Sequence, residues 1–350
     1  MQYLRLLLFP FSILYEIIIL LRNRAYNTGI FPSKKYKIPV ICIGNLAVGG
    51  AGKSPMAEYI IRLLQHQKKV AVLSRGYGRK TKGFRLVQKD DTPQEAGDEP
   101  LQFRQKFSNI TVAVSEKRVV GIDVLEHSHD VIILDDAYQH RAVKAGFNIL
   151  LFDYTRLNEP FLVFPAGNFR EPFSGRKRAN VIVITKTPEH VSAEEQARIV
   201  KRIKPYPYQA VFFSYLDYGN LAGVYAEWIP GEIALSALDS QTEVFLITGI
   251  ANPAPLAQKL KSFGVELHHY DYPDHYPFTK KNIAKLVSDF AASNKNNKII
   301  ITTEKDAQRL RKPELEELLK TLPVYYLPVT AKIHEPDAGR FNHLIEDYVS

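Results

Sequence analysis

The sequence predicts an α/β protein: a parallel sheet flanked by helices, a second, smaller α/β subdomain, and an N-terminal membrane-associated helix. Three observations lead there. Short apolar runs of strand length alternate with segments whose apolar residues recur at helical spacing, the rhythm of a parallel sheet covered on both faces. The rhythm lapses from Tyr215 to Glu243, where Gly219, Gly223, Pro230 and Gly231 fall, and then restarts. The chain opens with a strongly apolar stretch followed by cations. The expected division is 1–30 for the membrane-associated helix, 31–215 for the larger domain, 216–243 for a linker and 244–350 for the smaller C-terminal domain.

The opening stretch, "MQYLRLLLFPFSILYEIIILLRNRAY", is apolar from Leu4 to Leu21 but is interrupted by Arg5, Pro10 and Glu16. A spanning helix wants about 20 mostly apolar residues with few charges, and no small-residue cleavage site of a signal peptide follows. Arg22, Arg24, Lys34, Lys35 and Lys37 do follow. Apolar residues with interior charges and a basic flank suit a helix lying on an anionic, cytoplasmic membrane surface. The formal charge of +9 agrees with an acidic partner: nucleic acid, an anionic membrane face or a phosphorylated substrate. At 350 residues the chain favours two domains. Its single cysteine, Cys42, excludes an internal disulfide and a Cys-based metal cluster, and is expected as a buried, inert thiol.

The elements of the larger domain follow in order. "YKIPVICIGN" is a buried strand, and "KSPMAEYIIRLLQHQ" a helix with Met56, Tyr59, Ile60, Leu63 and Leu64 at helical spacing. "KKVAVLSRGYGRK" is a strand with a glycine loop, and "DEPLQFRQKF" a short helix with acids in its first turn. "NITVAVS", "HDVIILDD", "FNILLFDY" and "ANVIVITKTP" are strands, and "EKRVVGIDVLEH" is a helix. After the lapse come "EVFLITGI", "VELHHYDY", "NKIIITT" and "LPVYYLPV" as strands, with helices between them.

Between the first strand and its helix lies "GNLAVGGAGKS", close to a phosphate-binding loop but with Ala47 where the pattern has its first glycine. That glycine only eases the turn out of the strand. The phosphate cradle comes from consecutive backbone N–H groups, the lysine and the helix N-terminus. Ala47, Val48, Gly49, Gly50, Ala51, Gly52, Lys53 and Ser54 are therefore the expected nucleotide-binding residues, and the larger domain is expected to be P-loop NTPase-like. "VIILDD" ends in Asp135 and Asp136, either of which can hold Mg²⁺ together with the Ser54 hydroxyl. "TKTP" begins like a guanine-reading motif but has Pro188 where an acid is required, and Val48 stands where a partition-type ATPase carries a second lysine.

The series "GNLAVGGAGKSP", "LSRGYGRK", "GDEP", "LDDAYQHR", "FPAGNFREP", "ITKTP", "PDHYPFT" and "TTEKDAQRL" resembles the tetraacyldisaccharide 4'-kinase (lipid A 4'-kinase) family over nearly the whole chain. Singly, only the P-loop is a strong motif; in this order and spacing the set is highly specific. The resemblance implies transfer of the ATP γ-phosphate, with Mg²⁺, to the 4'-hydroxyl of tetraacyldisaccharide 1-phosphate. The product is lipid IVA, formed at the cytoplasmic face of the bacterial inner membrane. It further implies Asp98 as the base that takes the hydroxyl proton, His275 as the group that orients or tunes it from the second domain, and Lys53 at the phosphates. Arg75, Arg118 and Arg170 lie in matched motifs and suit the 1-phosphate of an acylated glucosamine disaccharide, and Tyr77 suits a sugar face. The chain departs from the family where Ala137-Tyr138 replaces an expected Gly-Phe, and at Asn168-Phe169. With an anionic membrane surface and a lipid phosphate as partners, the charge needs no nucleic acid, and nothing calls for an obligate protein partner. Two alternatives stay open: a membrane-recruited P-loop nucleotide switch without kinase activity, and a P-loop kinase of a soluble substrate.

Overall fold

The computed structural model describes residues 5–225, 227–228 and 231–350, so Leu4 and Pro230 lie outside the described residues. The chain forms two compact units, one running up to Leu216 and including Ala331–Ser350, the other Asp217–Thr330.

The strands of the first unit are β1 (Val40–Asn45), β2 (Val70–Ser74), β3 (Arg85–Leu86), β4 (Thr111–Val114), β5 (Val131–Asp135), β6 (Phe147–Asp153), β7 (Val181–Thr185) and β8 (Ala210–Tyr218). With Val329–Ile333 at one edge, the order across the sheet continues β8-β7-β6-β1-β5-β2-β4-β3. From β8 to β4 every pairing is parallel, and the two-residue β3 pairs antiparallel with β4. β1 is central and wholly buried. Its carboxyl end therefore opens beside those of β5 and β6, the edge where open α/β sheets hold ligands.

The helices of this unit are α1 (Phe9–Asn27), α2 (Lys53–Leu64), α3 (Pro93–Ala96), α4 (Asp98–Lys106), α5 (Arg118–Leu125) and α6 (Ala193–Ile203). Met56, Ile60 and Leu64 of α2 cover one face of the sheet with Leu101 and Phe103 of α4. Ile122 and Leu125 of α5, with Ile199 and Ile203 of α6, cover the other. Cys42 is buried there, and burial pushes its thiol up to about 12.

α1 is amphipathic in the reverse sense of a soluble helix. Leu7, just before it, and Phe11, Leu14, Ile18 and Leu21 recur every three or four residues and are 54–75% exposed. Ser12 is its one buried residue. From Leu6 to Asn27 the helical segment is long and apolar enough to cross a membrane, with mean hydropathy 1.7. Its inward residues, however, are hydrogen-bonded to the first unit from Arg5 to Asn23, so it lies along that unit.

The second unit has β9 (Leu221–Gly223), β10 (Glu232–Ile233), β11 (Glu243–Thr248), β12 (Glu266–Asp271), β13 (Lys298–Thr303) and β14 (Val324–Leu327), ordered β10-β9-β14-β13-β11-β12. The four later strands are parallel, and β9 and β10 form an antiparallel edge. Helices α7 (Ala254–Lys261), α8 (Lys280–Ala292), α9 (Glu304–Leu310) and α10 (Pro313–Leu319) complete it.

The division differs from the expected one at both ends of this unit. Residues expected as linker build β9 and β10. The last two elements, β15 (Val329–Ile333) and α11 (Asp337–Val349), join the first sheet, with only Val329 and Thr330 of β15 counted in the second unit. The reason is the apolar stripe of α11: Phe341, Ile345 and Val349 are buried in the same core as α2. Tyr348 Oη, moreover, takes the Val40 N–H at 3.0 Å.

Candidate active site

After β1 the chain pairs with a distant segment, Val163–Glu171. Ala47 forms an antiparallel bridge with Phe169. The Val48 N–H donates to Asn168 O at 2.8 Å, and the Arg170 N–H to Leu46 O at 2.7 Å. Ala47 therefore sits in bridged, extended chain, and the positive φ angles fall at Gly49 (103°) and Gly52 (77°), where glycine is present. Gly44 has a different reason: an added Cβ would lie 2.6 Å from Tyr138 Cβ. The loop's carbonyls are tied back to the ends of β6 and β7. Arg156 donates to Val48 O (2.7 Å), Thr185 Oγ1 to Ala51 O (2.9 Å) and the Lys186 ammonium to Gly50 O. Lys186 is itself paired with Asp153 at 2.8 Å. The head of α2, Gly52 to Ser54, then offers helix-terminal N–H groups to an anion.

Lys53 Nζ lies 3.3 Å from Asn45 Oδ1 and 3.5 Å from Asp136 Oδ2. Asp136, at φ 46°, also receives Arg170 Nη1 at 3.3 Å. Burial works against its charge, but Lys53 and Arg170 hold its carboxyl below the usual value. Asp135 is the opposite case. It is 2% exposed, its Oδ2 accepts from Ser74 Oγ at 3.1 Å, and its Oδ1 is buried without a hydrogen-bond partner. Burial, then the nearby charges of Glu99 and Asp136, raise it to about 7. A buried carboxylate oxygen with no donor fits a cation ligand, so the donor set expected for Mg²⁺ fits here.

Asp98 is the first residue of α4 and is buried. Gly97 before it has φ 90°, and a Cβ there would meet Tyr77 O at 3.0 Å, so the "GDEP" and "RGYG" loops are packed backbone to backbone. Arg75 and Tyr77 are exposed at this edge. Arg118, expected at the lipid phosphate, is buried. It is 2% exposed, with Nη1 on Ser115 O at 2.7 Å and Nη2 on Asp135 O at 3.4 Å. That geometry braces the end of β5, and the Arg118 Nε is buried without a hydrogen-bond partner. Both departures from the family pattern are accommodated. Tyr138 Oη donates to Gly175 O at 2.9 Å, and the Asn168 side chain bonds Glu159 at 3.0 Å and Arg5 at 2.9 Å.

His275 belongs to the second unit, where its φ is 60° and its N–H donates to Gly249 O at 3.0 Å. Its ring nitrogens lie 3.2 Å from Lys305 Nζ and 3.3 Å from Arg309 Nη2, both on α9. Asp306, fully buried, accepts the Gly249 N–H at 3.0 Å and Arg309 Nη1 at 2.8 Å. "PDHY" and "TTEKDAQRL" thus meet at the carboxyl ends of β11 and β13.

Sequence reasoning missed Asn45, Glu99, Arg156, Thr185, Lys186, Lys305 and Arg309. The signal was present for six of them, since Asn45 lies in "GNLAVGGAGKSP", Glu99 in "GDEP", Thr185 and Lys186 in "ITKTP", and Lys305 and Arg309 in "TTEKDAQRL". Those motifs carry the family resemblance, but nothing in them says which carbonyls or rings these side chains meet.

The tetraacyldisaccharide-1-P 4'-kinase family model matches residues 4–350. The tetraacyldisaccharide 4'-kinase of Phocaeicola vulgatus is 41% identical over 348 residues, covering 98% of this chain and 94% of that protein. That of Bacteroides fragilis is 42% identical, with 98% and 92% covered. Among solved structures, LpxK from Aquifex aeolicus in complex with ATP superposes with a TM-score of 0.75 at 30% identity, covering 99% of this chain and all of that one. A family match over essentially the whole length, on a fold that carries the phosphate loop and paired carboxylates just described, means that this chain belongs to the tetraacyldisaccharide 4'-kinase family.

Proposed function

We propose that this protein transfers the γ-phosphate of ATP to the 4'-hydroxyl of an acylated glucosamine disaccharide 1-phosphate, forming lipid IVA at the cytoplasmic face of the inner membrane. The observation that carries the reading is the phosphate loop set against Asp135, whose buried Oδ1 has no protein partner. Lys53 serves the phosphates, kept in place by Asn45 and Asp136. Asp135 and the Ser54 hydroxyl are the residues that would hold Mg²⁺, and the ion would supply positive charge to offset that of the phosphates. Asp98 takes the proton as the hydroxyl oxygen bonds phosphorus and the bond to the ADP oxygen breaks. Asp98 stands in the first turn of α4, where the helix N-terminus favours a negative charge. His275 is assigned to orient or tune Asp98, and Arg75, Tyr77 and Arg170 to meet the lipid's phosphate and sugar. The apolar outer face of α1 favours a lipid acceptor over a soluble one.

The test is incubation of purified protein with labelled ATP, Mg²⁺ and tetraacyldisaccharide 1-phosphate in detergent micelles. Label is expected in the lipid and absent with Lys53→Ala. Asp98→Ala is expected to lower transfer about 10²–10⁴-fold while ATP binding is kept, and unchanged turnover would remove it as the base. ATP hydrolysis without lipid labelling would favour the nucleotide switch or a soluble acceptor.

A further inference from the structure

α1 is seated on the first unit by polar contacts, and most of them fall on one segment. Arg5 donates to Pro165 O at 2.9 Å, Gly167 O at 2.6 Å and Asn168 Oδ1 at 2.9 Å. The Ala166 N–H donates to the buried Ser12 Oγ at 2.8 Å, and Tyr15 Oη donates to Arg170 O at 2.8 Å. The same segment forms the bridge to Ala47, hydrogen-bonds Leu46 and Val48, and carries the Arg170 side chain to Asp136. One strap of backbone is therefore held on its outer side by α1 and on its inner side by the nucleotide loop. Phe169 pins the middle of the strap by its ring, which lies 5.3 Å from that of Phe161. Its flanks, Pro165–Asn168 and Arg170, carry the contacts to α1 beside their own bonds to Val163, Glu159 and the nucleotide loop.

We infer that the inward face of α1, through Ser12 and Tyr15, positions the nucleotide loop, so that occupancy of a lipid surface by the outward face is linked to ATP affinity. The linkage half rests on the membrane reading proposed above. Hydrogen bonds that hold a helix with one buried residue exchange readily with water, and each is a modest net contribution. A lipid surface that buries the opposite face keeps the helix seated and the strap in place. Linkage is reciprocal, so ATP must also strengthen lipid binding.

Tyr15→Phe and Ser12→Ala in the full-length protein test this, since each removes one contact to the strap and keeps the outer face. Affinity for a fluorescent ATP analogue with Mg²⁺ is measured in neutral-detergent micelles and on anionic phosphatidylglycerol vesicles, with vesicle sedimentation in parallel. Each variant is expected to weaken ATP binding about five-fold, the order of one hydrogen bond. The KM for ATP should rise while kcat and the lipid KM hold, a split that general destabilisation would not give. Vesicles are expected to tighten ATP binding by the wild type several-fold, a gain lost in the double variant. Wild-type ATP affinity in both variants would overturn the positioning role. Vesicles that bind the protein but leave its ATP affinity unchanged would overturn the linkage. A wild type that fails to sediment with vesicles would overturn the membrane reading itself, and the positioning role would still be decided by the two variants.

Discussion

Ala47 occupies the place where phosphate loops carry their first glycine, and its surroundings explain why the exchange is harmless. The residue is bridged to Phe169 in extended chain, a conformation open to any side chain. The glycines that the turn requires, Gly49 and Gly52, lie further along, at positive φ. Ala47→Gly is therefore expected to leave ATP affinity within about two-fold. It should lower stability by about 0.5–1 kcal/mol, because glycine adds freedom to the unfolded chain; isothermal titration and thermal melting check both. Residues contiguous with a motif, such as Lys53 and the Asp135-Asp136 pair, were legible in the sequence. Arg156 was not, nor was the use made of Lys186, because their partners are carbonyls of the loop, and that contact depends on β1, β6 and β7 being neighbours in space. Arg118 was legible as a cation, but its burial under the end of β5 was not, since that is a property of the packed sheet.

At the scale of elements, α1 shows a similar split. Its apolar character and its interruption by charge were plain in the sequence. The function of the interruptions was not, because Arg5 finds its acceptors on residues 160 to 163 positions away. The outer stripe yields its own prediction. Leu14→Gln with Ile18→Gln replaces two exposed apolar side chains of the outer stripe. Each apolar side chain transferred out of water is worth about 1.5–3 kcal/mol, so the pair is expected to lower sedimentation with anionic vesicles by at least about ten-fold. Thermal stability in detergent should hold; undiminished vesicle binding would place the contact surface elsewhere. The strand–helix alternation was recovered for the same reason as the stripe, namely that both are written in local spacing.

Across the whole molecule, the fate of the last elements was the least legible. β15 and α11 follow the second unit in sequence, yet they complete the first. No local pattern says which sheet an amphipathic helix covers. The assignment comes from Phe341, fully buried with its ring 5.1 Å from Phe212 and 5.6 Å from Tyr59. Phe341→Ala is expected to cost about 3–5 kcal/mol and to lower the melting of the first unit, as calorimetry would register. A transition that does not move would show that α11 is dispensable to that core.

The long reach between α1 and its strap has a consequence in time. During synthesis the strap follows the residues it binds by 154 to 163 positions. At about 5–20 residues per second, the helix waits on the order of ten seconds or more outside the ribosome with its polar contacts unmet. Its apolar stripe is complete from the start. On the membrane reading proposed above, a bilayer would therefore meet α1 before the folding chain does, and the enzyme would be assembled onto a helix already at the surface that carries its substrate.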